Sequence, residues 1–152
     1  VSESAATLSV YRVANHQLVA PALQTLTTVP AEVTHFDRAR AAEVAVDGHG
    51  LVYVSTRFDA LQTDGTYLPL EGYVTSYRPR GPDGSLSPVQ ATRVGKEPRH
   101  FSIDPTSRFL VVANQESNSV VSYRIEGASG GLRRASSVDI PHPEYAGAVL
   151  LP

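Results

Sequence analysis

Apolar and polar residues follow one another along this chain in short, strand-like patterns. Residues 8–11 (LSVY) and 44–46 (VAV) alternate, and residues 51–54 (LVYV) and 109–113 (FLVVA) are continuous β-rich runs. Each run is bounded by Gly, Pro, Asp, Asn or Ser, the residues that end strands and build turns. The one stretch with helical flavour, 37–46 with its alanines, ends in alternation and reads as mostly loop followed by strand. The pattern predicts an all-β chain.

The strands recur in order. A Tyr-Arg strand appears at 8–12 (LSVYR), 74–78 (VTSYR) and 120–124 (VVSYR). Upstream of the second lie 43–47, a Gly-His-Gly turn, and 51–57; upstream of the third lie 100–104, a Pro-Thr-Ser turn, and 109–115. A fourth strand follows each Tyr-Arg strand and ends near proline, at 18–30, 86–98 and 132–141. Four short strands and a proline-punctuated link form the sequence unit of a β-propeller blade. The predicted organisation is the end of one blade over 1–30, a second blade over 31–98 with an inserted loop at 58–72, a third blade over 99–143, and the first strand of a further blade over 144–152. A blade needs a neighbour against each face. About two and a half blades fall short of the roughly four that close a ring. The chain therefore reads as part of a longer protein, or as one that a second chain completes.

The repeat supplies a register. Tyr123 lies eight positions after Gln115 and Tyr11 eight after Glu3, but Tyr77 lies twenty after Arg57. The extra residues, around 60–69, are an insertion between the second and third strands, either a tolerated surface feature or a wall of a site. Glu3, Arg57 and Gln115 thus share one place at the end of strand two in successive blades, each preceded by a small polar residue: Ser2, Thr56 and Asn114. An acid, a base and an amide on one circle of a wheel can face a common ligand. They are otherwise unrelated turn residues. Arg99 opens the innermost strand of the third blade, where its side chain can reach a central channel, and His100 is its neighbour. Asp47 and Asp104 hold the same turn position in their blades, which argues for carboxylates accepting backbone N–H groups and against catalysis. The cluster at 37–40 (DRAR) reads as a solvated linker.

Composition narrows the chemistry. The 152 residues contain no Cys, which excludes disulfides, thiolate metal sites and a Cys nucleophile. Lack of Cys leaves the compartment open, with the cytoplasm favoured. A formal net charge of -2 gives no reason to expect nucleic acid or an anionic membrane as partner. No apolar run is long enough for a transmembrane helix, and the first residues lack the regions of a signal peptide. The five histidines show no metal-ligand spacing, and no Gly-x-Ser-x-Gly elbow or phosphate-binding glycine loop is present. No metal and no cofactor are expected.

Trp is absent, which excludes the Trp-Asp and kelch types of propeller repeat. Instead, residues 97–115 (EPRHFSIDPTSRFLVVANQ) with 120–126 (VVSYRIE) resemble the lactonase family of seven-bladed propellers, which includes 6-phosphogluconolactonases and carboxymuconate cyclases. Residues 41–57 (AAEVAVDGHGLVYVSTR) resemble the preceding blade of that family, and Ser2-Glu3 with 6–12 (ATLSVYR) the blade before it. The resemblance covers nearly the whole chain and matches the C-terminal part of the family. It implies about two and a half blades of seven. It also implies a cleft lined by Glu3 and Arg57 as catalytic groups, Arg57 able to hold a substrate carboxylate or phosphate bidentately, with Arg99 and Gln115 binding a small lactone or carboxylate. His100 joins the substrate-binding candidates through its place beside Arg99. Ser2 and Thr56 depart from the family's asparagines. On this resemblance the function is hydrolysis of a sugar lactone such as 6-phosphogluconolactone, or cyclisation of carboxymuconate. The alternative is a non-catalytic propeller that binds ligands or proteins. The blades present are expected to show little activity alone, because the opposite wall of the cleft would lie elsewhere.

Overall fold

A computed structural model describes residues 1–149. Ten strands form three antiparallel sheets. The first sheet pairs β1 (Thr7–Ala14) with β2 (Gln17–Thr27). The second is ordered β3 (Arg38–Val46), β4 (Val52–Leu61), β5 (Tyr67–Pro79) and β6 (Leu86–Lys96). The third is ordered β7 (Pro98–Ile103), β8 (Phe109–Asn114), β9 (Ser119–Ile125) and β10 (Leu132–Asp139). Each four-stranded sheet is a meander of sequence neighbours, the form of a propeller blade.

The sheets pack face to face. Leu51, Tyr53, Val74 and Val94 of the second blade meet Phe101, Leu110, Val112, Val121 and Tyr123 of the third. On its other face the second blade sets Val54, Tyr77 and Leu86 against Leu8 of the first. With both faces covered, β4 is buried from Tyr53 through Asp59, which explains why its sequence runs apolar without alternating.

The small polar residues flagged by the register fasten blade to blade. Thr56 Oγ1 donates to the carbonyl of Thr28, where the first blade ends, at 3.1 Å. Asn114 Oδ1 accepts from Gly95 N–H in β6 at 3.0 Å. Both are fully buried, and both tie the second strand of their own blade to the end of the blade before it. A close approach follows at the next junction. A Cβ on Gly72 would lie 2.5 Å from Pro98 Cδ and 2.6 Å from the Thr56 carbonyl oxygen, so only glycine lets β5 pass there.

Three expectations change. The insertion at 58–72 is not a loop but a continuation of the hairpin. Phe58 pairs with Leu70, Ala60 with Leu68 and Leu61 with Tyr67. The turn itself is short: Gln62 N–H donates to the Thr66 carbonyl at 2.7 Å, and Gly65 takes a φ of 83°. The Asp-Gly pair at 64–65 is the turn chemistry that permits it. The cluster at 37–40 is not a solvated linker either. Arg38 and Arg40 belong to β3, because the lengthened hairpin brings Asp59 opposite them. For the expected further strand at 144–152, residues 144–149 belong to no strand, and 150–152 lie outside the described residues.

The repeated aspartates act as turn formers. His49 and Leu51 N–H donate to Asp47 Oδ1 at 2.8 and 2.9 Å. Arg108 and Phe109 N–H donate to Asp104 Oδ1 at 2.8 and 2.6 Å, and Thr106 N–H to Oδ2 at 3.0 Å. Burial alone would raise the Asp104 pKa, but the bonds from Thr106, Phe109 and Arg108 outweigh it and hold the carboxyl below its ordinary value. Stability from this turn is therefore present at neutral pH and lost as pH falls through the lowered value. Asp104→Ala is expected to cost about 1–3 kcal/mol in denaturant unfolding at neutral pH. The difference from wild type should shrink once acid protonates the wild-type carboxyl.

Candidate functional site

The site forms where the three blades meet, around Arg57, which lies in the middle of β4 and not at the strand end that the register suggested. Arg40 and Arg57 are register partners on β3 and β4, which puts two guanidinium groups side by side on one face. Like charges so placed repel unless an acid lies between them. Glu97 supplies it from the junction of β6 and β7. Arg57 Nη1 donates to Glu97 Oε1 at 2.7 Å, and Arg40 Nη2 donates to Glu97 Oε2 at 3.2 Å. The other Arg57 terminus, Nη2, donates to Glu3 Oε1 at 2.5 Å. Arg57 is only 1% exposed, and Glu97 7%.

Glu3 reaches this point from the short stretch before β1. The Ala41 N–H donates to the Glu3 carbonyl at 3.2 Å, and Ser2 bridges back to Thr7, which together set its backbone. Its side chain stays 56% exposed. Its pKa lies below the ordinary glutamate value. The Arg57 hydrogen bond is the largest cause, followed by the Arg57 charge, with smaller help from Arg99 and Arg40 against a modest opposing effect of burial.

Glu3, Arg57, Arg99 and His100 line one open cleft of about 320 Å³, together with Val1, Ala41, Ala42 and Glu144. Arg99 is exposed, and among the described residues it forms no ion pair. His100 is held on both sides. Its Nε2 lies 3.2 Å from Glu43 Oε2, its Nδ1 accepts the Ala146 N–H at 3.4 Å, and its ring lies 4.3 Å from that of Tyr145. Gln115 stands outside the cleft lining, starting a single 3-10 turn after β8, and reaches the rim by donating to Glu144 Oε1 at 3.4 Å.

The structure thus brings together four of the five sequence-flagged residues and leaves Gln115 at the edge. It also alters what Arg57 can do. A guanidinium with both termini bonded to carboxylates, and this deeply buried, has no face left for a bidentate substrate contact. Sequence reasoning passed over Glu97, Glu43 and Glu144. For Glu97 a signal existed: an arginine inside an apolar strand requires an acid, and Glu97 stands two positions before Arg99. Among the described residues no group of three or more His, Cys, Asp and Glu side chains is placed to hold a metal ion.

Comparison with known proteins follows the same outline. A 6-phosphogluconolactonase of Yersinia enterocolitica is 27% identical over 139 residues, which is 87% of this chain and 36% of that relative. One of Formosa agariphila is 30% identical over 100 residues, 64% of this chain and 26% of that relative. The chain therefore spans little more than a third of the length of such relatives at most. Among solved structures, the periplasmic gluconolactonase of Pseudomonas aeruginosa superposes with a TM-score of 0.75 at 24% identity, over 94% of this chain and 36% of its own. A Lactobacillus plantarum protein superposes with a TM-score of 0.73 at 25% identity, over 93% of this chain and 38% of its own. The model of the family described as "Lactonase, 7-bladed beta-propeller" matches residues 1–147. Matched almost from end to end, the chain belongs to the seven-bladed β-propeller lactonase family.

Proposed function

We propose that these blades belong to a propeller enzyme that hydrolyses a sugar lactone, and that they carry its base and an anion-facing cation. The observation behind this reading is the sharing of one cleft by an exposed, ionised Glu3 and an Arg99 that has no ion pair among the described residues. The relatives named as 6-phosphogluconolactonases support the substrate class.

Opening a lactone needs a proton acceptor for the attacking water and a positive group for the oxyanion. Glu3 accepts the proton on the carboxylate oxygen that Arg57 does not hold. Water oxygen bonds to the carbonyl carbon, the ring C–O bond breaks, and the departing alkoxide takes up the proton that Glu3 accepted from the water, which returns Glu3 to its carboxylate form. Arg99 faces either the developing oxyanion or an acidic group elsewhere on the sugar. Arg57 is assigned to orienting Glu3 and not to touching substrate. His100, fixed by Glu43 and stacked near Tyr145, shapes the wall. Gln115 orients substrate only through Glu144 at the rim.

The related cyclisation of carboxymuconate fits this cleft less well. Glu3 and Glu144 both line it, and a polycarboxylate would meet them with Arg99 as the single cationic side chain of the lining that has no ion pair among the described residues. A silent binding propeller remains the outcome if turnover is absent.

In the full-length protein, Glu3→Gln is expected to lower kcat on 6-phosphogluconolactone by about 10²–10⁴-fold. Absence of turnover by folded wild type on this lactone, on gluconolactone and on carboxymuconate would refute the enzymatic reading. Arg99→Ala should raise KM by about tenfold or more with a smaller change in kcat. Because Arg57 lowers the Glu3 pKa, the acid limb of kcat/KM should lie below 4.5, the ordinary value for a glutamate. A limb above that would contradict Glu3 as the base.

A further inference from the structure

A chain of alternating charge runs from the cleft to the inserted hairpin. It passes from Glu3 to Arg57, on to Glu97 and Arg40, and then from Arg40 Nη2 to Asp59 Oδ2 at 2.9 Å. Asp59 Oδ2 also accepts from Arg38 Nε at 2.8 Å, and the Arg38 guanidinium lies 4.0 Å from the centre of the Tyr67 ring. Asp59 and Tyr67 belong to the lengthened part of the hairpin, and Asp59 is 1% exposed.

Two features indicate that this chain does more than balance charge. Arg57 Nε and Arg40 Nε are buried without a hydrogen-bond partner, so the carboxylates alone orient both guanidinium groups. Glu97 also adopts a φ of 51°, in the left-handed region that a non-glycine residue enters at a cost. Its carbonyl is held there by Gln115 N–H at 2.9 Å. Strain retained at a buried charged residue beside a cleft points to a role for its side chain.

We propose that Glu97 is a positioning residue for Glu3, acting through Arg57, and that the inserted hairpin tunes the same pair through Asp59 and Arg40. The proposal rests on reading Glu3 as the base of the cleft. Glu97 takes up part of the Arg57 charge and leaves Glu3 basic enough to accept a proton. Asp59 does the same for Arg40, which would otherwise draw Glu97 away from Arg57. The insertion is then part of the site without lining it.

The test is the titration of Glu3, followed by its side-chain carboxyl 13C shift in wild type, Glu97→Gln and Asp59→Asn. Glu3 faces Arg57 from β4, Arg40 from β3, Arg99 and His100 from β7, and Val1 and Glu144 across the cleft, none of which is itself substituted in these variants. Removing the Glu97 charge leaves Arg57 and Arg40 less compensated. The Glu3 midpoint is expected to fall by about half a pH unit or more, with a smaller fall in Asp59→Asn. The acid limb of kcat/KM should move the same way, and kcat at neutral pH should drop about tenfold with KM nearly unchanged. An unmoved Glu3 midpoint in folded Glu97→Gln overturns the proposal. If that variant does not fold, an unmoved midpoint in Asp59→Asn does so. A moved midpoint without lactone turnover by wild type would uphold the charge chain and refute the enzymatic reading. Turnover with an unmoved midpoint would do the reverse.

Discussion

Everything near the cleft depends on how Arg57 is buried. A guanidinium taken out of water is tolerated only when charge and hydrogen bonds are returned to it. Here the return comes from two directions. Glu3 arrives from the stretch before β1 in the first blade, and Glu97 from the junction between the second and third. Arg57 itself stands in the most deeply buried strand of the middle blade. One cation therefore pins three blades at one point, and the exposed carboxylate that results is the chemically useful product of that pinning.

The apolar packing and the polar fasteners converge on the same place. Thr56, next to Arg57, bonds to the end of the first blade, while Asn114 bonds to the last strand of the second. Pro98, between Glu97 and Arg99, lies where Gly72 allows β5 to pass. Blade contacts and site geometry share residues one or two positions apart. Disturbing one should disturb the other, and for this reason variants that preserve shape, such as Glu to Gln, are more informative than truncations.

What could be read from the sequence was what local chemistry decides. The repeated Tyr-Arg strands and the turn aspartates Asp47 and Asp104 are short-range features, and the blades follow from them. The register also placed Glu3 and Arg57 in one arc, and they do meet. Arg99 and His100 could be placed beside them because both follow the proline that opens β7. The burial of Arg57 and the part played by Glu97 were harder to see, because that contact joins residues forty positions apart and arises only once two blades stack. Asp59 was hidden for a different reason. Its segment looked like a loop until the Asp-Gly turn at 64–65 extended the hairpin and carried Asp59 to face Arg38 and Arg40. Gln115 shared the register but not the cleft, since β8 ends at Asn114, just before it, whereas β4 runs on four residues past Arg57.

The central claim is that Arg57 and Glu97 are buried for each other. A double-mutant cycle in unfolding free energy tests it, with Arg57→Met, Glu97→Met and the pair together. Each single variant leaves the other partner buried with only its second ion pair, Glu3 for Arg57 or Arg40 for Glu97, and should lose about 1–3 kcal/mol. The pair should lose less than the sum of the singles, by about 1 kcal/mol or more. Losses that simply add would contradict the account.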